Sequence, residues 1–159
     1  MLNELKKRLI EEEGWENKVY LDHLGHPTIG VGFNLDREDA RARLRSIGVD
    51  YDAIKSGRAE LTNEQVSTLL DEDIEDAVDL IPHLFPIYDD LPDIVQVVLL
   101  DMLFNMGFSR LRQFIGMKAA IMERDWNTAA DEMLDSLWAK QVPNRANALA
   151  SLMRSAKEA

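Results

Sequence analysis

The sequence predicts an α+β, mainly helical fold: a small N-terminal lobe built on a β-hairpin or small sheet, a long inter-lobe helix and an all-helical C-terminal lobe. Three observations predict it. Residues 18–33 concentrate strand-forming side chains around a turn composition, DHLGHP. Residues 62–80 combine a capping pattern with one continuous apolar face. From residue 93 onward, apolar blocks are cut by Gly107, Asp125 and Pro143, the punctuation of successive helices. The expected division is a β-containing lobe over residues 13–61, a connecting helix over 62–80, and a helical lobe over 81–159 that takes in residues 1–12.

Residues 3–12 read as a helix, with Asn3 as N-cap and Leu5, Leu9 and Ile10 as its apolar stripe. Gly14 supplies the left-handed residue past a helix end, so Glu13 falls at the terminus. Val19, Tyr20 and Leu21, then Thr28, Ile29 and Val31, prefer strands; Asp22 sits at the first bend and Thr28 at the return. Gly30 and Gly32 mark bulges or close backbone approach. Asp36 reads as the N-cap of a helix ending near Gly48, and residues 49–60 read as a loop.

Thr62 and Gln65 match a capping box, in which side chain and backbone satisfy each other's orphan N–H groups. Val66, Leu69, Leu70, Ile74, Ala77 and Val78 continue one apolar face to Leu80. Such a helix spans roughly 30 Å and suits a strut between lobes. Pro92 opens IVQVVLLDMLFNM, apolar on nearly every face and therefore buried. Short helices follow around 108–113, 115–123 and 126–135, the third capped by Asp125, and Pro143 starts the last. No internal repeat or low-complexity segment is present.

Composition narrows the function. Hydrophobic residues at 46% and charged residues at 30% describe a folded chain rather than a disordered one. No run of apolar residues is long enough to span a membrane, so no stable membrane association is expected. Absence of cysteine excludes disulfides, thiol nucleophiles and thiolate metal sites. A net charge of −11 argues against nucleic-acid binding, and it sits awkwardly with any anionic polymer as ligand. The start, MLNELKKRLIEEEGW, lacks the apolar core of a signal peptide, which predicts synthesis in the cytoplasm. His23 and His26 flank the turn, but a hairpin turn does not align them as a helix face would; no metal and no cofactor are expected. Trp126, Trp138 and most methionines read as core, whereas Trp15 could stack on a ligand. The acidic run DEDIEDAVD reads as a solvated helix face.

Glu13, Asp22 and Thr28 hold the chemistry. Eight residues separate the two carboxylates, and five separate Asp22 from Thr28. Splitting a glycosidic bond needs one carboxylic acid to protonate the leaving oxygen and one carboxylate to activate water or attack the sugar. Glu13, at a helix end beside Trp15, has the address of the acid. Asp22, on an exposed turn, is the ionised partner, and Thr28 can hold a water. Read without context, the same three residues are equally a helix end, a turn residue and a strand residue.

Four segments in order resemble the phage-type lysozymes, the muramidase family of T-even phage lysozyme. These are EEGWENKVYLDHLGHPTIGVGFNL, LTNEQVSTLLDEDIEDAV, VVLLDMLFNMG and WNTAADEMLDSLWAKQVPNRANAL, which together cover most of the chain. The resemblance implies cleavage of the β-1,4 bond between N-acetylmuramic acid and N-acetylglucosamine of the peptidoglycan glycan strand, with inversion. It makes Glu13 the general acid, Asp22 the base or a stabilising carboxylate, and Thr28 the holder of the nucleophilic water. Arg145 matches a position near the catalytic end of the cleft and is expected to pair with Glu13 or its neighbours.

Gly32, Phe104 and Asn105 match cleft-lining positions. Asn34, Met117 and Glu132 stand where relatives carry other sugar-contacting residues. Phe33 replaces a histidine that in some relatives pairs with an aspartate at the position of Asp73. Asp73 is therefore left to another partner or to solvent. The resemblance also implies a monomeric endolysin, released to the wall through a holin-type pore, that takes part in host-cell lysis. The competing reading is a catalytically weak peptidoglycan-binding protein.

Overall fold

The structure, a computed structural model, describes residues 1–157. Residues 158 and 159, at the end of the expected helical lobe, lie outside the described residues. The chain divides into two compact units: Lys6–Glu75, and Met1–Leu5 with Asp76–Ala159.

Helix α1 (Leu2–Glu13) runs into the Lys6–Glu75 unit, where strands β1 (Glu16–Leu21), β2 (Pro27–Gly30) and β3 (Phe33–Asn34) follow. Helix α1 starts at Leu2, so Asn3 lies inside the first turn rather than capping it. Gly14, at φ +81, ends the helix as expected. The strands form one antiparallel sheet in the order β1-β2-β3, with Tyr20 opposite Thr28 and Thr28 opposite Asn34. The register slips between Glu16 and Tyr20, a bulge of the kind that re-aims side chains near sites. Ile29, Phe33, Leu35, Leu44, Ile54, Val66, Leu69 and Leu70 form the buried core.

Two local expectations are corrected. Asp36 does not cap α2 (Ala40–Ser46); Asp39 precedes that helix, and its side chain makes no cap bond. Arg37 and Arg43 hold the Asp39 carboxylate, at 2.8 and 3.3 Å. Asp36 instead faces His26 at 3.5 Å and Lys55 at 3.6 Å. Residues 49–60 are not all loop: Asp50 accepts from the Ala53 N–H at 3.0 Å and caps α3 (Tyr51–Lys55). The single turn was too short to announce itself by periodicity.

Helix α4 (Asn63–Leu84) begins at the predicted capping box. The Thr62 N–H donates to Gln65 Oε1 at 2.9 Å, and the Gln65 N–H donates to Thr62 Oγ1 at 3.1 Å. It runs past Leu80 and through Pro82 to Leu84. Pro82 falls in the last turn, where its missing N–H breaks one bond and nothing beyond must propagate. The preceding segment laces onto the sheet, with the Leu61 N–H on the Asn17 carbonyl at 2.8 Å and Asn17 Nδ2 on the Leu61 carbonyl at 2.9 Å.

The second unit centres on α5 (Asp93–Met106), where Val95, Val98, Leu99, Leu100 and Met102 have no exposed surface. Gly107 ends it at φ +84. α6 (Phe108–Leu111), α7 (Ile115–Met122), α8 (Trp126–Leu134), α9 (Leu137–Gln141) and α10 (Pro143–Arg154) follow. Helix α10 packs on α8 and α5, and α7 packs on α8. Asp125 caps α8 through the Thr128 N–H at 3.1 Å, as predicted. Helix α9, not anticipated, is capped by Ser136, which accepts from the Ala139 N–H at 3.1 Å. No described helix is long and apolar enough to cross a membrane.

Candidate active site

Residues directly opposite on antiparallel strands project from the same face. Tyr20, Thr28 and Asn34 therefore form one row across the sheet. Asp22 follows directly after β1, at the first bend of the turn.

The turn fixes Asp22. Its Oδ1 accepts from the Leu24 N–H at 2.9 Å and the His26 N–H at 2.8 Å. The Asp22 N–H returns to the His26 carbonyl at 2.9 Å. The His26 N–H is the main reason the Asp22 carboxyl is held below the usual carboxylate range; burial opposes it, and the Leu24 N–H adds to the lowering. Asp22 is thus ionised, with both of these bonds on Oδ1 and Oδ2 turned to other use. Thr28 is buried, and its hydroxyl donates to the His26 carbonyl at 2.9 Å. Its proton being committed, Thr28 Oγ1 offers lone pairs to a donor such as water.

Glu13, at the last position of α1, lies against the turn between β2 and β3. Gly32 there has φ +66, and a Cβ added to it would stand 2.9 Å from Glu13 Oε2 and 3.1 Å from Cδ. Only glycine both adopts that backbone and leaves room for the carboxyl. Asn34 is half-buried beyond Thr28, its Oδ1 accepting from the Asp36 N–H at 2.8 Å. The structure thus gathers Glu13, Asp22, Thr28, Gly32 and Asn34 within one unit.

The remaining candidates belong to the second unit. Arg145 Nε donates to Asp101 Oδ1 at 2.8 Å, with the arginine side chain 9% and the aspartate 0% exposed. Asp101 is a partner of Arg145 that the sequence did not announce. Phe104 and Asn105 are half-buried at the end of α5, and Asn105 Oδ1 accepts from Trp138 Nε1 at 2.7 Å. Glu132 is exposed on α8 and borders a groove that Phe114, Ile115, Leu137 and Trp138 also line. Met117 lies beneath this groove with no exposed surface, so at that position the side chain is core.

Three residues were missed from sequence. Tyr20, which the sheet sets opposite Thr28, was legible only as a strand former. Asp101 was half legible as the one acid inside the apolar run IVQVVLLDMLFNM, where a buried carboxylate needs a cation. Arg37, which holds Asp73, carries no local signal, since the two are 36 residues apart.

A carboxyl at a helix end, an ionised carboxylate and a hydroxyl with open lone pairs, gathered in one unit, are side chains of the kind that glycoside hydrolysis uses. The chain belongs to the phage lysozyme family, whose profile matches residues 10–158. It is similar to Probable T4-type lysozyme 1 and Probable T4-type lysozyme 2 of Dictyostelium discoideum. Each is 29% identical over 163 residues, covering 98% of this chain and 96% of the relative. It is also similar to Pre-baseplate central spike protein Gp5 of Enterobacteria phage T4, 29% identical over 153 residues, covering 90% of this chain and 26% of that protein. Family membership supports a lysozyme activity, and with it a peptidoglycan substrate.

Proposed function

We propose that the protein is an inverting muramidase that hydrolyses the β-1,4 bond between N-acetylmuramic acid and N-acetylglucosamine in bacterial peptidoglycan. Glu13 gives its proton to the glycosidic oxygen as the bond to the anomeric carbon breaks. A water attacks that carbon from the opposite face and loses a proton to Asp22 Oδ2. Thr28 Oγ1 accepts the water's other hydrogen, which leaves an oxygen lone pair for the attack. The cycle closes when solvent returns a proton to Glu13 and takes one from Asp22.

One observation carries this reading: the His26 backbone engages both Asp22 and Thr28, accepting the threonine's proton and fixing the aspartate's Oδ1. Base and water holder are thereby set in fixed relation by a single peptide segment. Gly32, Asn34, Phe104, Asn105, Glu132 and Arg145 are the proposed glycan-contacting or site-ordering residues. The reading extends to a monomer made in the host cytoplasm and released to the wall through a holin-type pore during host lysis.

Clearing of outer-membrane-permeabilised bacteria tests the activity. Wild type is expected to clear the suspension and Glu13→Gln is not. No clearing by wild type refutes the activity, and equal clearing by both refutes the acid assignment.

A further inference from the structure

We propose that the His26 imidazole is a positioning residue: through its contact with Asp36 it fixes the peptide segment that sets Asp22 and Thr28. The inference rests on the reading of Asp22 as base and Thr28 as water holder. The His26 backbone serves both residues. Its N–H donates to Asp22 Oδ1 at 2.8 Å, and its carbonyl accepts from the Thr28 hydroxyl at 2.9 Å. The Asp22 N–H also reaches that carbonyl, and the Gly25 N–H donates to the Asp22 carbonyl, both at 2.9 Å. These bonds run within residues 22–28 and fix the shape of the turn. They do not fix its place on the sheet.

Its place comes from the segment after β3. The Leu35 N–H donates to the Pro27 carbonyl at 2.8 Å, next to His26. One residue further on, Asp36 Oδ2 stands 3.5 Å from His26 Nδ1. The aspartate is itself held. Its N–H donates to Asn34 Oδ1 at 2.8 Å, and Lys55 Nζ on α3 lies 3.6 Å from its other oxygen, Oδ1. Asn34 pairs with Thr28 across β2 and β3. A ring of contacts thus runs from Thr28 through Asn34 and Asp36 to His26, which closes it with its carbonyl on the Thr28 hydroxyl. An imidazole with a hydrogen on Nδ1 offers Asp36 a donor, and the imidazolium adds a charge. Both side chains are 46% exposed, so the contact contributes little to folding and acts on where the turn sits. Displacing the turn moves Asp22 and Thr28 relative to Glu13, which slows the chemical step without removing a glycan contact.

Amide exchange and steady-state kinetics on the intact protein test this. In Asp36→Ala the His26 amide, the donor to Asp22, is expected to exchange about threefold faster than in wild type. The Leu61 amide, bonded to the Asn17 carbonyl at the start of β1, reports loosening of the unit as a whole and is expected to be unchanged. On solubilised glycan strands, His26→Ala and Asp36→Ala are each expected to lower kcat about threefold with KM unchanged. The double variant is expected to lose no more than either, the mark of a coupled pair. Lys55→Met, which removes the other partner of Asp36, is expected to keep the wild-type kcat.

A kcat loss of about ninefold in the double variant overturns the proposal, because the two residues then act independently. So does a KM rise at unchanged kcat, a His26 amide quickened no more than that of Leu61, or a loss in Lys55→Met equal to that in Asp36→Ala. If wild type fails to cleave glycan, the muramidase reading falls, and exchange of the His26 amide still decides whether Asp36 holds the turn.

Discussion

Arg37 donates to both carboxylate oxygens of Asp73, at 2.8 and 3.0 Å. Its guanidinium also lies over the Phe33 ring, with Cζ 4.3 Å from the centroid. Asp39 takes two further bonds, at 2.8 and 2.9 Å. Burial alone would weaken the Arg37 charge, but the bonds to Asp39 and Asp73 outweigh it and leave the guanidinium more firmly protonated. Phe33 is an aromatic platform for an arginine that holds the aspartate. Asp73 is therefore neither solvated nor idle.

Arg37→Ala should destabilise the protein by about 1–3 kcal/mol, between the range for exposed pairs and that for buried ones. It removes the cation that Asp39 and Asp73 share, although Asp39 keeps Arg43. Arg37→Lys should recover only part, because an ammonium cannot make the forked contact. Urea denaturation measures both, and full stability of Arg37→Ala would contradict the network.

The network also sets a pH dependence. Arg37 is the first cause holding the Asp39 carboxyl below the usual carboxylate range, against burial. A depressed native value gives stability fully present above the unfolded value, about 3.9, and lost as pH falls through the native value. Arg37, raised, keeps its charge at neutral and alkaline pH. The stability difference between wild type and Arg37→Ala should thus be constant from about pH 6 to 9 and shrink below about pH 4. A change between pH 6 and 8 would mean that a histidine has entered the network.

The sequence showed most plainly those features whose physics is local. The Thr62–Gln65 capping box, the Asp125 cap and the Gly107 stop all formed as read, since each depends on residues within one turn. Asp36 misled because its carboxylate is claimed by His26 and Lys55, the latter 19 positions away. Phe33 was recognised as a departure, yet its consequence needed Arg37 brought over it by the turn after β3. Asp22 and Thr28 were legible as residue types; the His26 backbone that binds them together was not.

Gly32→Ala should act on Glu13 directly. The left-handed backbone at φ +66 makes any side chain strained, costing about 1–2 kcal/mol. The new Cβ, 2.9 Å from Oε2, must displace the carboxyl. Turnover is expected to fall at least about tenfold with binding retained, a loss confined to the chemical step. Steady-state kinetics and a melting curve separate the two effects, and unchanged kcat would refute the contact.

Arg145 and Asp101 separate stability from function. Arg145→Ala strips a buried carboxylate of its ion-pair partner and should cost about 3–5 kcal/mol. Asp101→Leu with Arg145→Met should regain most of that loss, since apolar residues replace a buried pair with little penalty. If Arg145 also serves the reaction, the double variant folds stably and still turns over poorly. Full activity in it would confine Arg145 to a structural role.

The stereochemistry of the first product tests the central claim most directly. With Glu13 as acid and a water held by Asp22 and Thr28, a single displacement inverts the β-linked anomeric carbon. Rapid NMR of the newly formed reducing end should show the α-anomer first, with the β-anomer rising only by mutarotation. The β-anomer appearing first would mean a retaining double displacement and would contradict the roles assigned to Asp22 and Thr28.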